Sequence, residues 1–108
     1  MPIQIQIDGQ RSGPVAICDH CGQRITHTND GNALWLETSD PQRGRRTEGK
    51  IILTHKRCNS AFEQAHRPGE RQIWCSNDLD VFMIHLLANV PVDMPSAKQR
   101  ASLLASID

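Results

Sequence analysis

Aromatic side chains are scarce in this chain, which has no tyrosine, two phenylalanines and two tryptophans among its 108 residues. Any core must therefore rely on aliphatic side chains together with Trp35 and Trp74, and a bound metal would add stability that so modest a core lacks. The chain also lacks a run of about eighteen apolar residues, the length typical of a membrane-spanning helix. Its first ten residues alternate polar with apolar positions, unlike a secretory signal. We expect a soluble, cytoplasmic protein without membrane contact.

Net charge is missing as well, because twelve basic residues balance twelve acidic ones. A neutral chain is not typical of a strongly basic nucleic-acid binder. The charge is nevertheless unevenly distributed, since residues 43–71 carry eight basic side chains against three acidic ones and are net +5. The eight are Arg43, Arg45, Arg46, Lys50, Lys56, Arg57, Arg67 and Arg71.

The four cysteines could in principle form two disulfides, but their arrangement indicates a different chemistry. Cys18 and Cys21 form a tight C-x-x-C motif, which in this setting indicates metal or redox chemistry in a reducing cytoplasm. A thioredoxin-like site would place this motif at the start of a long helix, whereas here Gly22 and a turn-rich stretch follow it. The sequence therefore favours a metal site over a redox pair.

A second ligand pair, His55 and Cys58, follows after thirty-three intervening residues. Zn²⁺ prefers four tetrahedral ligands drawn from thiolate and imidazole, and each short pair supplies two of them with little loss of entropy. We predict one structural Zn²⁺ bound by Cys18, Cys21, His55 and Cys58, although such a ligand set also binds other soft metals. An all-cysteine site with Cys75 in place of His55 is the alternative. His55 is preferred, because Cys75 falls between an apolar segment and a helix cap, where a buried free thiol is ordinary.

Local patterns predict a strand pair before the first ligand pair. The I-Q-I-Q-I run at residues 3–7 places three isoleucines on one face of a strand. The Asp8-Gly9 turn then folds this strand back onto residues 15–17. We expect a half-buried N-terminal hairpin.

A central hairpin and a helix are predicted around the second ligand pair. Residues 33–37 and 50–54 have the composition of strands, and a long polar tip separates them. Thr54 is then placed to cap a helix over residues 55–66, whose first turn carries His55 and Cys58. The predicted buried stripe of this helix is Ala61, Phe62 and Ala65.

The C-terminal third is predicted to be helical. Residues 72–75 form an apolar bridge, residues 76–78 offer cap residues, and a helix over residues 79–90 ends at Pro91. A shorter helix follows, indicated by a Ser96/Gln99 capping box and by Ala101, Leu103, Leu104 and Ile107. The helix over residues 79–90 is apolar on more than one face, which indicates a protein partner or a homodimer in addition to the core.

The order of these elements resembles that of the treble-clef zinc fingers, in which a knuckle and a hairpin precede a helix whose first turn completes the ligand set. The residues that carry the resemblance are Cys18, Cys21 and Gly22 in the knuckle, residues 34–54 as the hairpin, and His55 and Cys58 at the helix start. The resemblance covers residues 15–67 and implies an α+β fold around zinc. It does not specify a function, because treble clefs bind nucleic acids, bind proteins or, in the HNH group, cleave nucleic acids.

These patterns together predict a single α+β domain over residues 1–108. It contains a treble-clef-like zinc module at residues 15–67, preceded by the N-terminal strand pair, and a helical extension with two helices at residues 72–108.

The first functional hypothesis is a non-enzymatic, zinc-stabilised module that contacts DNA or RNA through the basic hairpin tip. The contact residues would be Arg43, Arg45, Arg46, Lys56 and Arg57. The alternative is a protein-interaction or dimerisation module that uses the C-terminal helices. An HNH-like nuclease is a more distant alternative, because His55, Asn59 and His66 share one predicted helix but His55 is already assigned to zinc. No small-molecule substrate is evident.

Overall fold

The computed structural model describes residues 2–103, and within them the chain is mixed α+β, as predicted. The strands are β1 (Ile3–Asp8), β2 (Arg11–Ile17), β3 (Arg24–Ile25), β4 (Gly31–Asp40), β5 (Gly44–Thr47), β6 (Ile52–His55) and β7 (Gln72–Asp78). The helices are α1 (Asn59–Ala65), α2 (Leu79–Asn89) and α3 (Met94–Ala101). None of the helices in this described part of the chain is both long and apolar enough to cross a membrane.

The N-terminal hairpin forms as predicted, with β1 antiparallel to β2 and β3 on the far side of β2. Gly9 supplies the left-handed residue of the tight turn, at φ +63°. The prediction that the hairpin is half-buried on its isoleucine face is wrong, because Ile3, Ile5 and Ile7 are 52%, 69% and 78% exposed. Register explains the error: Val15 of β2 is buried and lies opposite Gln4, so the isoleucines of β1 are on the other face of the hairpin.

The central sheet is built on β4, which is longer than predicted. One edge of β4 pairs with β7 along its length, and the other edge pairs first with β6 and then with β5. The predicted pairing of β4 with β6 is confirmed, with Leu34 opposite Ile52. Two segments were predicted wrongly. The polar tip contains β5, and the apolar bridge at residues 72–75 belongs to β7.

The helix after β6 starts later than predicted. His55 is the last residue of β6, paired with Gly31, and residues Lys56–Cys58 form a 3₁₀ turn before α1. Thr54 is therefore a fully buried strand residue and does not cap the helix through its side chain. The predicted buried stripe is also wrong in part, since Ala61 and Ala65 are exposed and Phe62 alone of the three is buried.

The two C-terminal helices are present. Helix α2 starts where predicted, and α3 starts at Met94, with Asp93 as the cap whose carboxylate accepts the Ser96 amide at 3.3 Å. The predicted Ser96/Gln99 capping box is therefore wrong. Leu104 and Ile107, the last two residues of the predicted helix, lie outside the described residues.

The core joins the ligand region to α2. One cluster of buried residues contains Cys18, Ile25, Ala33, Leu53, Cys58 and Leu79. Gly31 permits this contact, because a Cβ on it would lie only 2.7 Å from Cδ2 of Leu79. The two ligand cysteines in this cluster are thus part of the hydrophobic core itself.

Candidate metal centre

The first ligand pair lies in a tight knuckle that follows β2. The Cys18 amide donates to the carbonyl of Gln23 at 2.9 Å, and the Gly22 amide donates to the carbonyl of Cys18 at 2.9 Å. Gly22 has φ +75°, a conformation that residues with a Cβ adopt at a cost, which explains a glycine at this position of the knuckle. The turn places the thiols of Cys18 and Cys21 on the same side.

The second pair reaches the knuckle through Asp19, a residue that the sequence analysis did not single out. The Asp19 amide donates to the carbonyl of Leu53 at 2.7 Å, and the Leu53 amide donates back to Oδ2 of Asp19 at 2.9 Å. These two bonds fix the knuckle against β6. Because His55 ends β6 and Cys58 ends the following 3₁₀ turn, both are held next to the first pair.

The four donor atoms have the spacing of a metal site. The sulfur atoms of Cys18, Cys21 and Cys58 and a ring nitrogen of His55 all lie within 4.8 Å of one another. Sγ of Cys21 is 3.4 Å from Nδ1 of His55. A tetrahedral ion with metal–sulfur and metal–nitrogen bonds of about 2.3 and 2.0 Å places such a pair roughly 3.5 Å apart. The four residues are therefore positioned to bind one metal ion.

The His55 ring is oriented by a partner behind it. Nε2 of His55 lies 3.2 Å from the backbone carbonyl oxygen of Arg24. In the tautomer that carries the ring proton on Nε2, this nitrogen donates a hydrogen bond to that oxygen. This bond selects the tautomer that leaves the lone pair of Nδ1 facing the three thiols. His55 is buried, so the ring has little freedom to leave this arrangement.

The thiol of Cys18 is prepared to bind a cation. Burial by itself raises the pKa of this thiol, but the backbone amides of Cys21 and His55 donate to the sulfur at 3.5 and 3.3 Å. Together with a contribution from the His20 backbone they lower its pKa from 9.0 to about 6. Cys18 is therefore largely a thiolate at neutral pH, which is the form that binds metals.

The pKa of Cys58 shows that ionisation of a thiol is disfavoured where several thiols lie together without a cation. Burial, followed by the nearby sulfur atoms of Cys18 and Cys21, raises the pKa of Cys58 from 9.0 to about 11. A divalent cation among these donors would reverse this effect, because its charge favours every thiolate around it. The donor chemistry thus fits a metal ion better than it fits a set of free thiols.

Cys75 lies elsewhere in the sheet. It belongs to β7 opposite Trp35, and it is absent from the cluster of donors with metal-site spacing. Burial and then the carboxylate of Glu37 raise the pKa of the Cys75 thiol. The geometry therefore includes His55 and leaves out Cys75.

The residues predicted to contact nucleic acid are spread over two places, the β5 hairpin and the 3₁₀ turn. Three of them have acidic neighbours that the sequence analysis did not foresee: Arg45 forms an ion pair with Glu37, Arg46 lies 3.9 Å from Asp40, and Lys56 lies 3.6 Å from Asp78. Pairing of β5 with β4 brings Glu37 beside Arg45 and Asp40 beside Arg46. The sequence alone does not reveal these contacts, because they depend on the register of the two strands. Arg43 and Arg57 are exposed and form no ion pair with any residue in 2–103.

Comparisons of the chain with protein-family models, with curated proteins and with solved structures found no significant match in any of the three. The resemblance to treble-clef zinc fingers thus stays a prediction that rests on the order of the elements and on the ligand spacing.

Proposed function

We propose that this protein is a zinc-stabilised, non-enzymatic binding module of treble-clef-like architecture. The observation that carries the proposal is the cluster of three thiols and one imidazole within 4.8 Å. Thiolate and imidazole are the ligands of structural zinc, and four protein donors leave no open position for a catalytic water. Knuckle, β4–β6 pairing and α1 follow the order expected of a treble clef, with the second ligand pair just before the helix. A set of reduced thiols suits a reducing cytoplasm.

The metal itself provides the test. Protein purified without chelator should contain one zinc per chain by elemental analysis. Removal of this zinc with a chelator should abolish the near-ultraviolet circular dichroism of the folded protein, because Cys18 and Cys58 are core residues. Addition of zinc should restore the signal. A metal-free protein that keeps its native spectrum would contradict a structural role for zinc.

The binding surface that we propose is the outside of α2, and the partner is a second copy of the chain. A helix that is apolar all round is usually buried, yet six large apolar side chains of α2 and its C-cap are 38% to 65% exposed. They are Val81, Met83, Ile84, Leu86, Leu87 and Val90. Contact between two identical α2 helices would cover these side chains with a surface of the same character.

Light scattering over a range of protein concentrations tests this surface. A dimer that dissociates on dilution supports the proposal. A monomer at every concentration would contradict pairing between copies and leave a different protein as the candidate partner.

Nucleic-acid binding is the second candidate, favoured by one observation. Arg43 and Arg57 are exposed and unpaired among the described residues, although Arg45, Arg46 and Lys56 have acidic neighbours. Phosphate contacts by these residues would make affinity fall as salt rises. Binding to DNA or RNA at low salt should weaken on changing Arg43 or Arg57 to alanine. Equal affinity at low and high salt would contradict this candidate.

The nuclease alternative receives no support from the placement of its residues. Asn59 donates to Glu63 at 2.6 Å and accepts from Asn32 at 3.4 Å, while the His66 ring is stacked on Phe62. Among residues 2–103, the Cys18 cluster is the one group of His, Cys, Asp and Glu side chains with metal-site spacing.

A further inference from the structure

A cavity of about 340 Å³ lies on the face of the central sheet that α1 covers. Its apolar lining includes the aromatic rings of Phe62 and Trp74, and its polar lining includes Asp19, Glu48 and Lys50. A volume of this size is within the range of small-ligand sites. This cavity could not be predicted from the sequence, because its walls come from segments far apart in the chain.

The aromatic wall is held in place by hydrogen bonds. Nε1 of Trp74 donates to the backbone carbonyl of His66 at 2.8 Å, and Nδ1 of His66 lies 3.1 Å from the carbonyl of Phe62. The Phe62 and Trp74 ring centroids are 5.5 Å apart with an interplanar angle of 67°, and the Phe62 and His66 centroids are 4.2 Å apart. Phe62 is itself buried, so its ring supports Trp74, and the fixed, half-buried Trp74 ring can stack on a planar ligand without first losing side-chain freedom.

The polar lining provides both hydrogen-bond donors and acceptors. Glu48 and Lys50 are exposed, and neither forms an ion pair with another residue in 2–103. Asp19 uses Oδ2 to accept the Leu53 amide, which fixes its carboxylate at the edge of the cavity. The Lys50 ammonium can donate hydrogen bonds to the edge of a planar ring stacked on the aromatic side chains. The carboxylates of Asp19 and Glu48 can accept hydrogen bonds from the same edge.

We propose that this cavity binds a nucleobase. Nucleobases combine a stacking face with an edge of carbonyl, ring-nitrogen and amino groups, and stacking on aromatic side chains is how proteins hold unpaired bases. Two sources share this chemistry, a free nucleoside or nucleotide and an unpaired base in a single strand. Arg46 lies on the same face of the sheet, because its partner Thr38 is two residues from the cavity residue Leu36 on β4. Although its guanidinium lies 3.9 Å from Asp40, the Arg46 side chain is 55% exposed and accessible to the phosphates of a strand whose base occupies the cavity.

Tryptophan fluorescence of the zinc-loaded protein tests the proposal. Trp35 lies on the opposite face of β4, so Trp35→Phe leaves Trp74 as the fluorescent reporter. Adenosine, adenosine monophosphate and a single strand of about ten nucleotides are the probes. We expect saturable quenching of Trp74. If adenosine or adenosine monophosphate quenches the fluorescence at concentrations similar to those of the strand, the site binds a free ligand. If the strand quenches it at a far lower concentration, the site binds nucleic acid. No quenching by any probe would overturn the proposal.

Two variants separate the cavity from other binding surfaces. Trp74→Leu should weaken the affinity for a labelled probe about tenfold or more, since a stacked base loses its platform. The exposed Lys50→Ala should weaken it without affecting the fold, and Trp35→Leu is the matched control that should leave it unchanged. Binding that survives Trp74→Leu and Lys50→Ala but is lost on changing Arg43 and Arg57 would overturn the cavity site while supporting the basic surface.

Discussion

The metal-ligand region and helix α2 are both rich in apolar or soft side chains, but the chain covers them to different extents. Around the ligands, Cys18, Ala33 and Leu53 are at most 4% exposed, and no described buried polar side-chain atom lacks a hydrogen bond. On α2, Leu79 alone is buried, although apolar residues surround the helix. In the first region, residues of the same chain bury the apolar side chains and supply all four donor atoms for a cation. The second leaves its apolar side chains exposed, and we propose that a second copy of the chain covers them.

The largest expected effect is loss of a metal ligand. Cys58→Ser should leave the protein unable to retain zinc and unfolded at room temperature, since binding of structural zinc contributes on the order of 10 kcal/mol to folding of small domains. Elemental analysis and circular dichroism would measure both results. Cys75→Ser is the matched control and should retain one zinc per chain, because Cys75 lies outside the donor cluster. Loss of zinc from the Cys75 variant would show that the ligand set is wrong.

The contact between the two regions is tested at Gly31. Gly31→Ala should destabilise the zinc-loaded protein by about 1 to 3 kcal/mol, because the new methyl group would overlap Leu79 at the base of α2. Denaturant unfolding measures this change. Gly69→Ala serves as the control, since its Cβ would meet only the side chain of half-buried Gln72, whose Oε1 would lie 3.0 Å away. Equal stability of the two variants would show that α2 does not pack on Gly31.

Acidification should weaken zinc binding through the two shifted thiols. The pKa of Cys18 is lowered to about 6, so its thiolate stabilises the fold fully above pH 9, and this contribution is lost as the pH falls to about 6. Cys58 has the opposite sign. Its pKa is raised to about 11, so its neutral thiol stabilises the metal-free fold below pH 9, and this contribution is lost as the pH rises to about 11.

Zinc binding near neutral pH must therefore release the Cys58 proton. Chelator competition should show affinity falling about tenfold per pH unit for each proton released. An affinity that does not change with pH would contradict thiolate ligation.

The smallest effect on stability is expected on the outer side of α2. Ile84 is 65% exposed, so Ile84→Asp should change the free energy of unfolding by no more than about 0.5 kcal/mol. The same change should convert a dimer into a monomer in light scattering. Ile7→Asp, on the N-terminal hairpin, is a matched control at another exposed isoleucine and should leave the dimer intact. Dissociation by Ile7→Asp instead would move the interface to β1.

The ligand set could be predicted because each pair is encoded by a short spacing, and α2 because its apolar residues and its boundary at Pro91 are local. Strands β5 and β7 were not predicted, because both form only by pairing with β4. In the β4–β7 pair, for example, Leu36 lies opposite Trp74, which is far from it in the sequence. The acidic neighbours of Arg45 and Arg46 depend on the same pairing. The exposure of Ile5 follows from the β1–β2 register, which an alternating pattern does not determine.

X-ray absorption spectroscopy of the purified protein at the zinc edge tests the central claim most directly, because it reports the atoms bound to the ion. We expect one zinc per chain with three sulfur neighbours at about 2.3 Å and one nitrogen neighbour at about 2.0 Å. A first shell of four sulfur atoms, a shell with bound water in place of a protein ligand, or a folded protein without zinc would contradict it.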